Sequence, residues 1–163
     1  FFDETLKPKQ FNGTVFISQL YANTYHQFKF IHFKNQIGLQ TLNESIFNLP
    51  QFLTEHELYF EDYIFKKRML ARLGFRLKTV ESYVLSNYSP VHGAFYFQNE
   101  ATDKDPFFYQ ADVYLSFKVD TFRAFLRAEN LSQLITKDVF YLVNPYPIFD
   151  YRLRFGVAWT MFN

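Results

Sequence analysis

Two consecutive stretches decide the fold: Gln110-Ala-Asp-Val-Tyr-Leu-Ser-Phe-Lys-Val-Asp120 and, after a tight turn, Phe122-Arg-Ala-Phe-Leu-Arg-Ala-Glu129. In the first, Ala111, Val113, Leu115, Phe117 and Val119 fall on one face, and Gln110, Asp112, Tyr114, Ser116, Lys118 and Asp120 on the other. The second repeats the alternation, with Phe122, Ala124, Leu126 and Ala128 against Arg123, Phe125, Arg127 and Glu129. Side chains of a β-strand point alternately to its two faces, so a period of two marks strands with one apolar and one wet face. The pattern returns at the chain end, where Tyr151, Leu153, Phe155, Val157, Trp159 and Met161 oppose Arg152, Arg154, Gly156, Ala158 and Thr160. Upstream, Leu73, Phe75 and Leu77 alternate with Arg72, Gly74, Arg76 and Lys78.

Segment length bears on what the apolar face meets. Ordinary strands run about 5–6 residues, whereas a tilted membrane-crossing strand needs about 9–11. The C-terminal segments sustain alternation over that longer span, which fits a membrane wall and also a large soluble barrel. Further strands are expected at Thr14–Tyr21, Tyr25–Phe33, Gln36–Leu42, Glu55–Ile64 and Gly93–Gln98, with Phe47–Leu53 and Ser82–Asn87 open between strand and loop. The expectation is eight to ten strands. The turn at Asp120-Thr121 is short, while Glu100–Pro106 and Leu131–Phe149 are long. Short turns at one rim and long loops at the other are the pattern of outer-membrane barrels.

Composition fits a barrel wall and, equally, a Phe-rich soluble β core. The 163 residues include 23 Phe and 12 Tyr, and aromatics reach 22 %, while mean hydropathy is only -0.18. Large apolar groups are finely mixed with polar ones. Such residues favour strands over helices, and they suit a wall facing lipid with aromatic girdles at its rims. No apolar run approaches the roughly 18 residues of a spanning helix, so a membrane crossing here must be made by strands of a closed barrel. A net charge of +1 gives no global field for nucleic acid. The absence of cysteine removes disulfides, thiol nucleophiles and thiolate metal sites. Phe1-Phe2-Asp3-Glu4 opens the chain without Met or a basic segment, so a mature form or a fragment of a longer protein is expected.

Three stretches carry a resemblance to a known family: Phe122-Arg-Ala-Phe-Leu-Arg-Ala-Glu-Asn-Leu131, Tyr141-Leu-Val-Asn-Pro-Tyr-Pro-Ile148 and Arg154-Phe-Gly-Val-Ala-Trp159. A strand ending in Asn-Leu, then a Tyr-Pro loop, then a closing strand with a terminal aromatic resembles the porin-like proteins of Bacteroidetes outer membranes. The resemblance covers the chain from Asp105 onward. It implies an all-β, antiparallel transmembrane barrel in the bacterial outer membrane, with residues 1–163 as a single barrel domain or the C-terminal portion of one. Outer-membrane lipid, and the barrel-assembly machinery during insertion, are the partners it implies. No cofactor and no catalytic residue are carried over.

Under this reading Arg72, Arg76, Lys78, Lys118, Arg123, Arg127, Arg152 and Arg154 face a lumen, where rings of basic groups draw anions. The plainer alternative is that they pair with Glu57, Glu61, Asp112 and Glu129 across strands, at about 0.2–1 kcal/mol each, and only keep the wall wet. Leu73, Phe75, Leu77, Val113, Leu115, Phe117, Leu153, Phe155 and Val157 face lipid. Tyr21, Tyr25, Tyr59, Tyr63, Tyr151 and Trp159 are candidates for interfacial belts, being amphipathic rings. His26, His32, His56 and His92 are too scattered for a metal motif, and no phosphate loop or nucleophile elbow is present. Asn12-Gly-Thr14, Asn43-Glu-Ser45, Asn87-Tyr-Ser89 and Asn130-Leu-Ser132 match a glycosylation acceptor, a pattern that arises often by chance.

Three functions follow for test. The first is a passive channel for small hydrophilic solutes, with charge selection by inward Arg and Lys, and no enzymatic activity. The second is a plugged barrel that docks other subunits of an outer-membrane complex through Tyr141, Tyr146 and Phe149. The third is a soluble β-barrel or sandwich that binds a ligand against an inward apolar face.

Overall fold

A computed structural model describes residue 2 and residues 7–44, 49–96, 107–136, 140–144 and 146–161. Seven long strands form one antiparallel sheet in the order β1-β2-β3-β4-β7-β8-β11. They are β1 (Ile17–Phe28), β2 (Ile31–Leu42), β3 (Phe52–Ile64), β4 (Met69–Val80), β7 (Phe108–Val119), β8 (Phe122–Glu129) and β11 (Arg152–Trp159). Two small hairpins stand apart from it: β5 (Asn87–Ser89) with β6 (Ala94–Tyr96), and β9 (Tyr141–Val143) with β10 (Tyr146–Pro147). The one short helix among the described residues, α1 (Gln133–Thr136), follows β8. The expected loop Glu100–Pro106, Phe97 and Gln98 of the expected strand Gly93–Gln98, Phe47 and Asn48 of the open segment Phe47–Leu53, and Pro145 lie outside the described residues.

Each long strand pairs with the next in the sheet, so the sheet is a meander whose outer strands are β1 and β11. Its two ends differ. Lys29-Phe30, Phe65–Arg68 and Asp120-Thr121 make short turns at one end. At the other end lie the longer connections β2–β3, β4–β7 and β8–β11, the last two carrying the small hairpins and α1.

Two strand expectations change. Tyr25–Phe33 is not one strand: the chain turns at Lys29-Phe30, and β1 instead runs unbroken from Ile17 through Tyr25 to Phe28. Apolar residues on both sides of the turn hid it, and no Gly, Asn or Pro marks it; Lys29 takes the left-handed region itself, at φ 53°. Against the expected eight to ten strands, seven build the sheet, and the loop expected over Leu131–Phe149 holds β9, β10 and α1.

Register places every alternating residue. One face gathers Gln19, Gln36, Glu55, Glu57, Glu61, Arg72, Arg76, Asp112, Lys118, Arg127 and Arg154. The other gathers Leu20, Phe33, Leu58, Phe60, Leu73, Phe75, Val113, Leu115, Leu126 and Phe155. Burial is inverted relative to a water-soluble domain. Asp112, Glu129 and His32 are buried on the charged face, while Phe155 is 83 % and Val157 72 % exposed on the apolar one. Charged groups are almost never fully buried unless paired, and large contiguous apolar patches are rarely left bare. Among the described residues no second layer covers the apolar face.

Candidate functional site on the charged face of the sheet

All eight basic residues singled out in the sequence lie on the charged face, and the structure divides them into two groups. Next to β3, Arg72, Arg76 and Lys78 of β4 stand in register with Glu61, Glu57 and Glu55. Arg72 holds Glu61 at 2.5 Å, and Arg76 reaches both Glu55 and Glu57 at 3.3 Å. Lys34 of β2 closes on Glu57 from the other side at 3.4 Å. Across β2, β3 and β4 each of the three acids thus holds at least one base, while Lys78, in register with Glu55, makes no ion pair among the described residues.

The second group does not balance. Glu129 is the shared carboxylate of three guanidiniums, Arg152 at 2.5 Å, Arg154 at 3.1 Å and Arg127 at 3.5 Å. Arg127 and Arg154 are direct cross-strand partners, as are Lys118 and Arg123. Asp112 is occupied elsewhere: its Oδ1 accepts the Asn130 backbone N–H at 2.9 Å, and the Gln110 amide donates to both its oxygens. The β7–β8–β11 flank thus carries surplus positive charge.

Aromatic rings fill the space between these groups. Tyr59 is buried, with the His32 ring stacked on it at 4.5 Å and 2° and the cations of Lys34 and Arg72 at 5.0 and 4.7 Å from its centroid. Such cation–π contacts anchor the long basic side chains along the face. Tyr25 donates toward or accepts from His32 Nδ1 at 2.6 Å. Tyr21, Tyr25 and Tyr59 therefore line the charged face, as does Tyr63 by register. They do not form an outer belt on the apolar face, and the alternation of their own strands places them so. Trp159 is on the apolar face, 66 % exposed, and Tyr151 precedes β11, 41 % exposed.

Glycine makes the room. Tyr114 lies directly opposite Gly74, Tyr21 opposite Gly38 and Phe125 opposite Gly156, and each ring occupies the place a Cβ on that glycine would take. Rings laid over cross-strand glycines pin the register of a curved sheet. The nine apolar candidates Leu73, Phe75, Leu77, Val113, Leu115, Phe117, Leu153, Phe155 and Val157 all share the opposite face.

The loop candidates are only partly free. Phe149 is 72 % exposed, yet the Arg152 guanidinium sits 4.6 Å over its ring. Tyr146 packs edge-on against Tyr88 at 5.8 Å, and Asn144 exchanges backbone bonds with Tyr88 and Ser86, tying the β8–β11 connection to the β4–β7 connection. Tyr141 is half-buried at the start of β9.

One element was missed by the sequence reading. Asn130 is buried at φ 58°, its side-chain amide donates to the Phe149 carbonyl at 2.8 Å, and Ser132 Oγ donates to Asn130 Oδ1 and the Tyr109 carbonyl. Beneath it Phe140 is buried edge-on against Phe108 and Tyr109. Asn130-Leu-Ser132 is a clamp that fastens the long loop to β7, and its amide is not available to a glycan.

A family model described as "Putative porin" matches residues 1–163. The chain belongs to that porin family. The match runs over the whole sequence, so the strands upstream of Asp105 belong to it as much as the C-terminal ones. Searches of curated proteins and of solved structures found no match to this chain. The charged face of this porin-family chain thus carries ion pairs on β2–β4, three arginines of β8 and β11 gathered on Glu129, and Lys118 and Arg123 with no ion pair among the described residues.

Proposed function

We propose that the sheet is a stretch of an outer-membrane barrel wall, with the charged face lining a water-filled passage for small hydrophilic solutes and the apolar face against lipid. The observation that carries this is the inversion of the two faces: bare Phe, Leu and Val on one side of a single-layer sheet, and hydrogen-bonded charge on the other. Only a medium without water makes the bare face favourable. Strand length fits. The 12 residues of β1, β2, β4 and β7 at about 3.3 Å each span about 40 Å, which at a tilt near 45° projects to about 28 Å, close to a hydrocarbon core of about 30 Å. Short turns gathered at one end and long connections at the other agree with an outer-membrane barrel. In such a passage width sieves solutes and the inward charges select among them, without a chemical step.

Closure follows a parity rule. In the meander β1 and β11 run in the same direction, since an even number of antiparallel steps separates them. An all-antiparallel cylinder that contains these strands holds an odd number of further ones. The experiment is reconstitution of the protein into planar bilayers. Discrete, ohmic conductance steps support the passage; bilayers that stay silent over protein shown to be inserted overturn it.

A further inference from the structure

Like charges directly opposite each other on a sheet repel. On the charged face this happens twice, at Arg127–Arg154 and at Lys118–Arg123. The first pair is bridged by Glu129. The second is not: among the described residues no carboxylate lies within ion-pair distance of Lys118 or Arg123, and both side chains are exposed. They flank a depression of about 430 Å³ that also contains Glu61, Arg72, Ser116 and Phe125. Glu61 and Arg72 neutralise each other there at 2.5 Å. The rest of the lining is apolar except for Lys118, Arg123 and the Ser116 hydroxyl, so the two cations meet no counter-charge there.

We infer that Lys118, Arg123 and Ser116 form a binding station for a doubly charged oxyanion of the phosphate class, free or as the phosphate of a small phosphomonoester. The inference rests on the reading of the charged face as a solute passage and names what that passage selects. Two fixed positive charges answer a dianion better than chloride or a monocarboxylate. A guanidinium supplies two parallel donors, an ammonium a point charge, and phosphate accepts both. The depression is wide enough to hold phosphate with part of its hydration shell, so the station retains the ion briefly and lets it leave, as conduction requires. Up the wall, Arg127, Arg154 and Arg152 share one carboxylate and form a second, weaker station. Arg127 lies four residue steps along β8 from Arg123, about 13 Å at strand rise. The β8–β11 flank is then a two-step ladder for anions.

The test uses the whole protein in planar bilayers bathed in potassium chloride, with inorganic phosphate added. Millimolar phosphate is expected to lower the chloride current. The double variant Lys118→Gln/Arg123→Gln is expected to raise the phosphate concentration needed by about tenfold or more, the loss of a charge-assisted contact, while still conducting chloride. Lys118→Arg/Arg123→Lys keeps the charge and the phosphate effect, and Lys78→Gln leaves it unchanged. Chloride current indifferent to phosphate in the unaltered protein, or an equal phosphate effect in the double variant, overturns the station. If inserted protein does not conduct at all, the passage reading has failed, and phosphorus NMR line broadening by detergent-solubilised protein decides the station separately. Broadening abolished by the double variant upholds it, and absent or unchanged broadening overturns it. Phospholipid that co-purifies with the unaltered protein and is lost in the double variant, with no response to free phosphate, assigns the site to a lipid headgroup and overturns its role in transit.

Discussion

The Tyr114 hydroxyl donates to Glu57 Oε1 at 2.6 Å, from β7 across the whole width of β4 to β3. The reach exists because Gly74 stands between them without a side chain, and the ring lies where its Cβ would be. Gly74→Val should therefore displace the ring, break the bond and destabilise the inserted protein by about 1–3 kcal/mol, the usual cost of overpacking. Tyr114→Phe keeps the ring and loses only the bond to a charged acceptor, at about 1–3 kcal/mol. Urea unfolding of vesicle-inserted protein, followed by tryptophan fluorescence from Trp159, measures both. A stable Gly74→Val protein would show that the ring does not need that space.

Glu129 is buried beneath three arginines that are themselves 36–53 % exposed. Glu129→Gln leaves them facing each other with no counter-charge. The expected loss is about 1.5–3 kcal/mol, and it should shrink in 1 M salt, where the screening length falls to about 3 Å. Unfolding at low and high salt tests this; an equal loss at both would mean that packing, not charge, is what Glu129 supplies.

Leu115→Arg and Leu153→Arg put a cation on the apolar face. At mid-membrane depth each should cost about 2–4 kcal/mol. Lys118→Ala, on the charged face, should stay within about 0.5 kcal/mol. Heat-modifiable migration of the folded species, together with its unfolding midpoint, reads the contrast, and similar costs for all three would erase the distinction between the faces.

Much of this wall was legible because alternation is a local signal. The alternation in Phe122–Glu129 matches β8 end to end, that in Gln110–Asp120 falls in β7, which starts two residues earlier and ends at Val119, and that in Leu73–Lys78 lies inside the longer β4. Where both faces are apolar, as at Tyr25–Phe33, alternation carries no information, and the turn at Lys29-Phe30 passed unseen. The charged face was legible as a set of residues but not as a balance. That Glu129 serves three arginines while Lys118 and Arg123 share none depends on cross-strand register, which a single sequence does not state. Amphipathic rings make the tyrosines candidates for belts, but it is their parity within β1 and β3 that places Tyr21, Tyr25, Tyr59 and Tyr63 on the charged face. The role of Asn130 is not legible in its triplet, because its clamp is built from Asp112, Tyr109 and Phe149, far apart in the chain.

The most direct test uses the absence of native cysteine, which lets single cysteines be introduced and spin-labelled one at a time along β11, from position 152 to 159, in protein inserted into vesicles. The account predicts a strict alternation: labels at 153, 155, 157 and 159 relaxed by oxygen, which concentrates in hydrocarbon, and labels at 152, 154, 156 and 158 relaxed by a water-soluble nickel chelate. Inverted alternation, or equal access to both relaxants along the strand, would contradict it.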